Sequence, residues 1–235
     1  MAHASDVASE SRSVRDRPSH ARPVAESRWP SAGAVVTAMV MTALLPDEIR
    51  FFPTWLVLSI EGALGIALIA GDPGRIDRRS HGLRMLAIAL MALLVLSALV
   101  ATYFLIGDLI HGGEETNSAT DLLEAGAVVW VSNNIAFSLL YWQLDGGGSA
   151  ARTHDWPRRR IDLAFPQDLN PAVASETWLP RFIDYLYLGF TNATAFSPTD
   201  VMPLAPWAKV AMAIQSLVSL AILGLVIARA VNVFT

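Results

Sequence analysis

Cysteine is absent from this 235-residue chain, which excludes a disulfide framework, a thiolate metal site and a cysteine nucleophile. Charge is scarce. Asp, Glu, Lys and Arg make up 16% of the residues, against about 25% in an ordinary soluble domain. Lys209 is the sole lysine among 17 basic residues. The net charge of −4 offers no electrostatic footing for nucleic acid. His3, His20, His81, His111 and His154 are scattered and form no His-Glu-x-x-His pattern, so zinc chemistry lacks its signature. Neither a phosphate-binding Gly-x₄-Gly-Lys-Ser/Thr loop nor a Gly-x-Ser-x-Gly nucleophile turn occurs. These absences point to a protein that is not an enzyme and carries no cofactor and no metal.

What is present is apolar: 53% of the chain, with a mean hydropathy of +0.43. The apolar residues are concentrated. Residues 1–28 are polar, with five arginines and no apolar run, and read as a disordered tail. Five apolar segments follow, at Trp29–Leu45, Phe51–Ala70, Leu83–Ile110, Leu122–Leu144 and Trp207–Phe234. A bilayer core about 30 Å thick takes ~20 helical residues. Four segments reach that length, and the first would span only a locally thinned bilayer. A lipid-embedded backbone must satisfy its own amides, and these continuous runs lack the alternation of a barrel strand, so all five are expected to be helices. The fold class is all-α: a polytopic transmembrane bundle of five or six segments. The sixth candidate, 181–199, is aromatic at its start and polar at Thr191, Asn192, Thr194 and Ser197. It is too polar to face lipid along its length, and reads either as a re-entrant helix or as a span buried among others. Gly146-Gly147-Gly148 reads as a flexible break after the fourth segment.

Arginine marks the cytoplasmic side of short loops. With the N-terminus inside, the tail, the 71–84 loop and the 145–181 loop place fourteen arginines inside, against Arg50 outside. The 108–121 loop has four acids and no Lys or Arg. This pattern fits a multi-pass protein of the bacterial inner membrane, with the bilayer as its first partner.

Polar residues at membrane depth are costly. Glu61 sits mid-way along the second segment, as a proton or cation site or as a glutamate bonded to another helix. Asn133 and Asn134 lie mid-way along the fourth and suit hydrogen bonds between helices. In the last segment Gln215 and Ser219 form a polar strip beside a small-residue face that includes Gly224. They read as a lining surface or as a packing seam.

The stretch 185–233 resembles the pore region of the potassium-channel superfamily, where a pore helix leads to a Thr-x-Val/Leu-Gly-Tyr-Gly-Asp filter, a proline and an inner helix. Thr194 falls on the opening threonine, Asp200 on the closing aspartate, and Pro203, Trp207 and Lys209 on the proline, aromatic and basic positions beyond. The segment also resembles a family of bacterial inner-membrane proteins in which a Phe-Thr-rich stretch precedes the final helix. The filter departs at Ser197, Pro198 and Thr199, which stand where the channels have Gly, Tyr and Gly. Pro198 fixes its φ near −65° and pushes Ser197 toward extended geometry, so the usual carbonyl ladder is not expected.

The resemblance implies three N-terminal helices (29–110) and a pore module (121–235). The module comprises an outer helix 122–144, a loop 145–180, a pore helix and filter-like segment 181–200 (Thr194, Ala195, Phe196, Ser197, Pro198, Thr199, Asp200) and an inner helix 207–234. It further implies a homotetramer passing monovalent cations or small solutes, without the usual potassium selectivity. Two other readings stand beside it: a non-conducting structural or regulatory protein, and a proton-coupled transporter centred on Glu61.

Overall fold

In the computed structural model the described residues are 23–45, 52–111, 119–194 and 200–234. Eight α-helices order these residues: α1 (Trp29–Leu44), α2 (Thr54–Gly71), α3 (His81–His111), α4 (Ala119–Leu144), α5 (Ser149–His154), α6 (Pro166–Leu169), α7 (Phe182–Thr194) and α8 (Pro206–Phe234). Two short strands, β1 (Leu163–Ala164) and β2 (Met202–Pro203), pair antiparallel. The long helices start and stop within three residues of the apolar runs. α1 opens with proline in its first turn, where a missing N–H costs nothing. α2 stops at Asp72-Pro73-Gly74, with Gly74 at φ +81°.

Four helices (α2, α3, α4 and α8) are long and apolar enough to cross a membrane, and α1 is a shorter apolar helix. Their outer faces carry exposed Val36, Ile66, Leu96, Leu217 and Ile227. Such a surface belongs in lipid. Together these features define a helical membrane protein.

α4 is the central helix. It packs on α1, α3, α7 and α8, while α2 packs on α1 and α3. One continuous core therefore runs through both the N-terminal helices and the C-terminal module, joining Val35 and Leu94 to Tyr185 and Ala208. A second cluster, around Leu105, Leu122 and Ile222, closes the opposite end. Lipid tails are as apolar as leucine, so close packing and interhelical hydrogen bonds must hold such a bundle together.

The arginine-rich segments gather at one end. Arg28 bonds Asp72 at 3.1 Å, Arg79 bonds Asp155 at 2.7 Å, and the N-terminal Ser27 pairs with Arg75. The Gly146–Gly148 stretch is a packed turn here, and not a loose break. All three glycines have positive φ, and a Cβ on Gly146 would lie 2.9 Å from the Arg160 carbonyl. Asp145 beside it is fully buried and accepts from the backbone amides of Asp162 and Leu163 at 2.9 and 3.0 Å.

Candidate functional site

α7 starts at the arginine-rich end. The Glu26 carboxylate accepts from the Phe182 amide at 2.5 Å, from Trp142 Nε1 at 2.9 Å and from Ser149 Oγ at 2.8 Å. Residues 23–28, which by composition belong to the polar tail, are therefore part of the fold. Tyr185 donates to Asp145 at 2.6 Å, and the Arg152 guanidinium lies 5.1 Å from its ring centre. The Tyr185 side chain is fully buried and its hydroxyl serves as a donor. Arg152 is only 1% exposed and donates to the Trp142 and Asp145 carbonyls, terminating α4. Arg159 bonds Asp168. Two of the five arginines in the 145–181 region are thus consumed inside the protein. Their signal in the sequence is only positive charge, which resembles a solvated loop.

From Phe182 the helix runs inward beside α8. Asn192 is ten residues from its start and Gln215 nine from the start of α8, so both lie about 14–15 Å deep. Asn192 Nδ2 donates to Gln215 Oε1 at 2.8 Å and to the Met212 carbonyl at 3.0 Å. Gln215 Oε1 also accepts from Tyr141 at 2.7 Å, and Gln215 Nε2 donates to the Gly189 carbonyl at 3.0 Å. Ser216 Oγ donates to the Asn192 carbonyl at 3.2 Å. On the other side, a Cβ at Gly189 would lie 2.1 Å from Ser138 Oγ, so glycine sets the approach of α7 to α4. Sequence spacing marks Asn192 and Gln215 as polar but not as mutual partners.

The chain then returns. β2 pairs with β1, aligning Leu163 with Pro203, and the Leu204 amide donates to the Asp162 carbonyl at 2.9 Å. Both ends of the 182–203 segment are therefore tied to the arginine-rich end. α7 has 13 residues, about 20 Å, which falls short of a bilayer core. Arg229 consequently lies toward the opposite end of α8 from the arginine-rich loops.

Thr194 closes α7 on an exposed position, its hydroxyl donating to the Phe190 carbonyl at 2.9 Å, and Asp200 is exposed where the chain resumes. Ala195, Phe196, Ser197, Pro198 and Thr199 lie outside the described residues. The three inner-helix residues separate. Gln215 and Ser219 are buried at 0% and 1% exposure against the protomer's own helices, whereas Gly224 faces outward, and a Cβ added to it would meet nothing within 4 Å. A symmetric oligomer would turn the outer face of α8, with Leu217, Leu220 and Gly224, toward its axis. Gln215 and Ser219 are not on that face.

Of the remaining polar residues, Asn133 Nδ2 donates to Thr102 Oγ1 at 2.7 Å and to the Val129 carbonyl at 3.0 Å, tying α4 to α3. Asn134 accepts from Ser138 through its carbonyl at 2.7 Å. Glu61 differs from both. It is 0% exposed, and neither carboxyl oxygen has a partner among the described residues. It borders a cavity of about 340 Å³ between α1, α2, α3 and the end of α4. No cluster of three His, Cys, Asp or Glu side chains suited to a metal ion occurs among the described residues. No family model, curated protein or solved structure matches the chain.

Proposed function

We propose that this protein is a channel-like protein of the bacterial inner membrane, passing monovalent cations or small solutes through a homo-oligomeric pore, with four copies enclosing the axis. The observation that carries the reading is the 182–203 hairpin: a short helix that enters beside α8 and a chain that returns to the same end of the bundle. The resemblance of 185–233 to a potassium-channel pore adds to it. Thr194 and Asp200 bound the filter-like stretch, and the hydroxyls of Thr194, Ser197 and Thr199 with the Asp200 carboxylate would replace the usual carbonyl ladder. The positive-inside rule puts the arginine-rich end in the cytoplasm, with the N-terminus. The hairpin then enters from the cytoplasmic face, the reverse of a potassium channel.

The test is flux from proteoliposomes under potassium, sodium and neutral-solute gradients. The reading expects flux that changes on Thr194→Ala or Asp200→Asn. Absence of flux in every condition, or a monomer in the membrane, overturns it and leaves a non-conducting bundle. Reporter fusions at Asp155 and Thr235 test orientation, with Asp155 expected inside and Thr235 outside.

A second reading is favoured by one observation, the unpartnered Glu61 beside its cavity. A buried ionisable group in a span is a common mark of proton or ion coupling. Here the protein would be a proton-coupled carrier, and Glu61→Gln would abolish uptake driven by a pH gradient. Unchanged uptake removes that reading.

A further inference from the structure

The cavity beside Glu61 lies inside a ring of four helices. α1 packs on α4 and α2, α2 on α3, and α3 on α4. At about 340 Å³ it falls in the ~300–1,000 Å³ range of small-molecule sites. Its walls are apolar, formed by Val35, Met39, Leu83, Leu90 and Met91. Val36 of α1 and Ile66 of α2 both border it and are exposed, at 58% and 70%, so the cavity opens sideways between these two helices. Its mouth is at the arginine-rich end. There Arg28 is held by Asp72, Arg78 donates to the Gly71 carbonyl and Arg79 bonds Asp155. The Arg84 guanidinium has no partner among the described residues, and it lies beside Gly147. Four arginines against Asp72 and Asp155 leave the mouth with an excess of positive charge. Glu61 marks the far end, eleven residues below Asp72 on α2, or about 16 Å.

We propose that this cavity is a binding site for an anionic phospholipid of the bilayer. One acyl chain enters between α1 and α2, and the phosphate sits on Arg84. An apolar slot that opens toward lipid, one chain deep, with an unpaired guanidinium at interface level, matches that molecule in shape and in charge. A guanidinium is suited to phosphate oxygens because its planar fork presents paired donors. A zwitterionic lipid gains less, since its ammonium meets the surplus positive charge of the mouth. The site includes none of the residues of the 185–233 stretch.

The test is native mass spectrometry of the purified full chain in detergent, titrated with phosphatidylglycerol and with phosphatidylcholine of the same acyl chains. The expected result is one retained phosphatidylglycerol, preferred about tenfold over phosphatidylcholine. Arg84→Gln should erase the preference and Arg84→Lys should keep most of it. Gly65→Leu should prevent retention of the lipid. Gly65 borders the cavity and a Cβ there meets nothing within 4 Å, so the added side chain fills the slot without a backbone clash. Equal retention of the two lipids overturns the proposal, as does a preference that survives Arg84→Gln. Unchanged retention in Gly65→Leu, or equal binding of chain-free glycerophosphate, shows that no chain enters and also overturns it.

Discussion

On the α7–α8 side of α4, buried amides are linked into one network; on the α1–α3 side, a buried carboxyl group meets nothing. Tyr141, Asn192, Gln215 and Gly189 form a connected network within 3.0 Å at each step. Across α4, both oxygens of Glu61, Ser132 Oγ and Asn133 Oδ1 are unpartnered among the described residues. α2 is also the least buried of the four long apolar helices, with 11% of its span buried against 67% for the span containing α4. A satisfied network rigidifies and fixes one arrangement, although Trp130 Nε1, Arg152 Nη2, Arg159 Nη1 and Ser219 Oγ on that side are also unpartnered among the described residues. The two sides therefore differ in kind: α7 and α8 share a closed amide network, whereas the Glu61 carboxyl borders a cavity with both oxygens unmatched.

Substitutions can break or sharpen this contrast, with thermal unfolding of the detergent-solubilised protein as the measurement. The largest effect is expected at Arg152. Arg152→Ala leaves Glu26 and the Trp142 and Asp145 carbonyls short of a buried cation, a loss of about 3–5 kcal/mol. Gly189→Ala comes next. It forces α7 away from Ser138 at a cost of about 1–3 kcal/mol, typical of overpacking. Gln215→Leu strands Tyr141 and Asn192 and should cost a similar ~1–3 kcal/mol. At Glu61 the sign reverses. Glu61→Leu removes two unpartnered oxygens and should leave the melting temperature unchanged or raise it. A loss of stability at Glu61 as large as that at Gln215 would erase the contrast. Gly65→Leu is the smallest, expected to gain up to about 1 kcal/mol through helix propensity.

The spans are legible because lipid imposes a simple rule on sequence: continuous apolar runs of one length. Trp29–Leu44, His81–His111 and Pro206–Phe234 can be bounded almost to the residue. The polar interior is less legible. Asn192 and Gln215 are 23 positions apart on different helices, and no periodicity links two such residues. Arg152 and Arg159 carry the same charge as their exposed neighbours, and only the fold separates buried from solvated. Glu61 stands out because a carboxyl within a span is conspicuous, but its cavity depends on four helices that meet only in three dimensions. Glu26 gives no signal at all, being a lone acid among alanine and serine.

That lone acid bears on how the molecule is assembled. Glu26 and Phe182 are 156 residues apart, so a chain emerging from the ribosome gains the Trp142 and Ser149 partners of Glu26 first and the Phe182 amide only after α4 is complete. The contact that seats α7 therefore closes late, after α1 to α4 exist to receive it. A segment made ahead of α1 is the latch for a helix made after α4. A bulky fusion placed just ahead of residue 23 should disturb the hairpin at the opposite end of the sequence before it disturbs the adjacent α1.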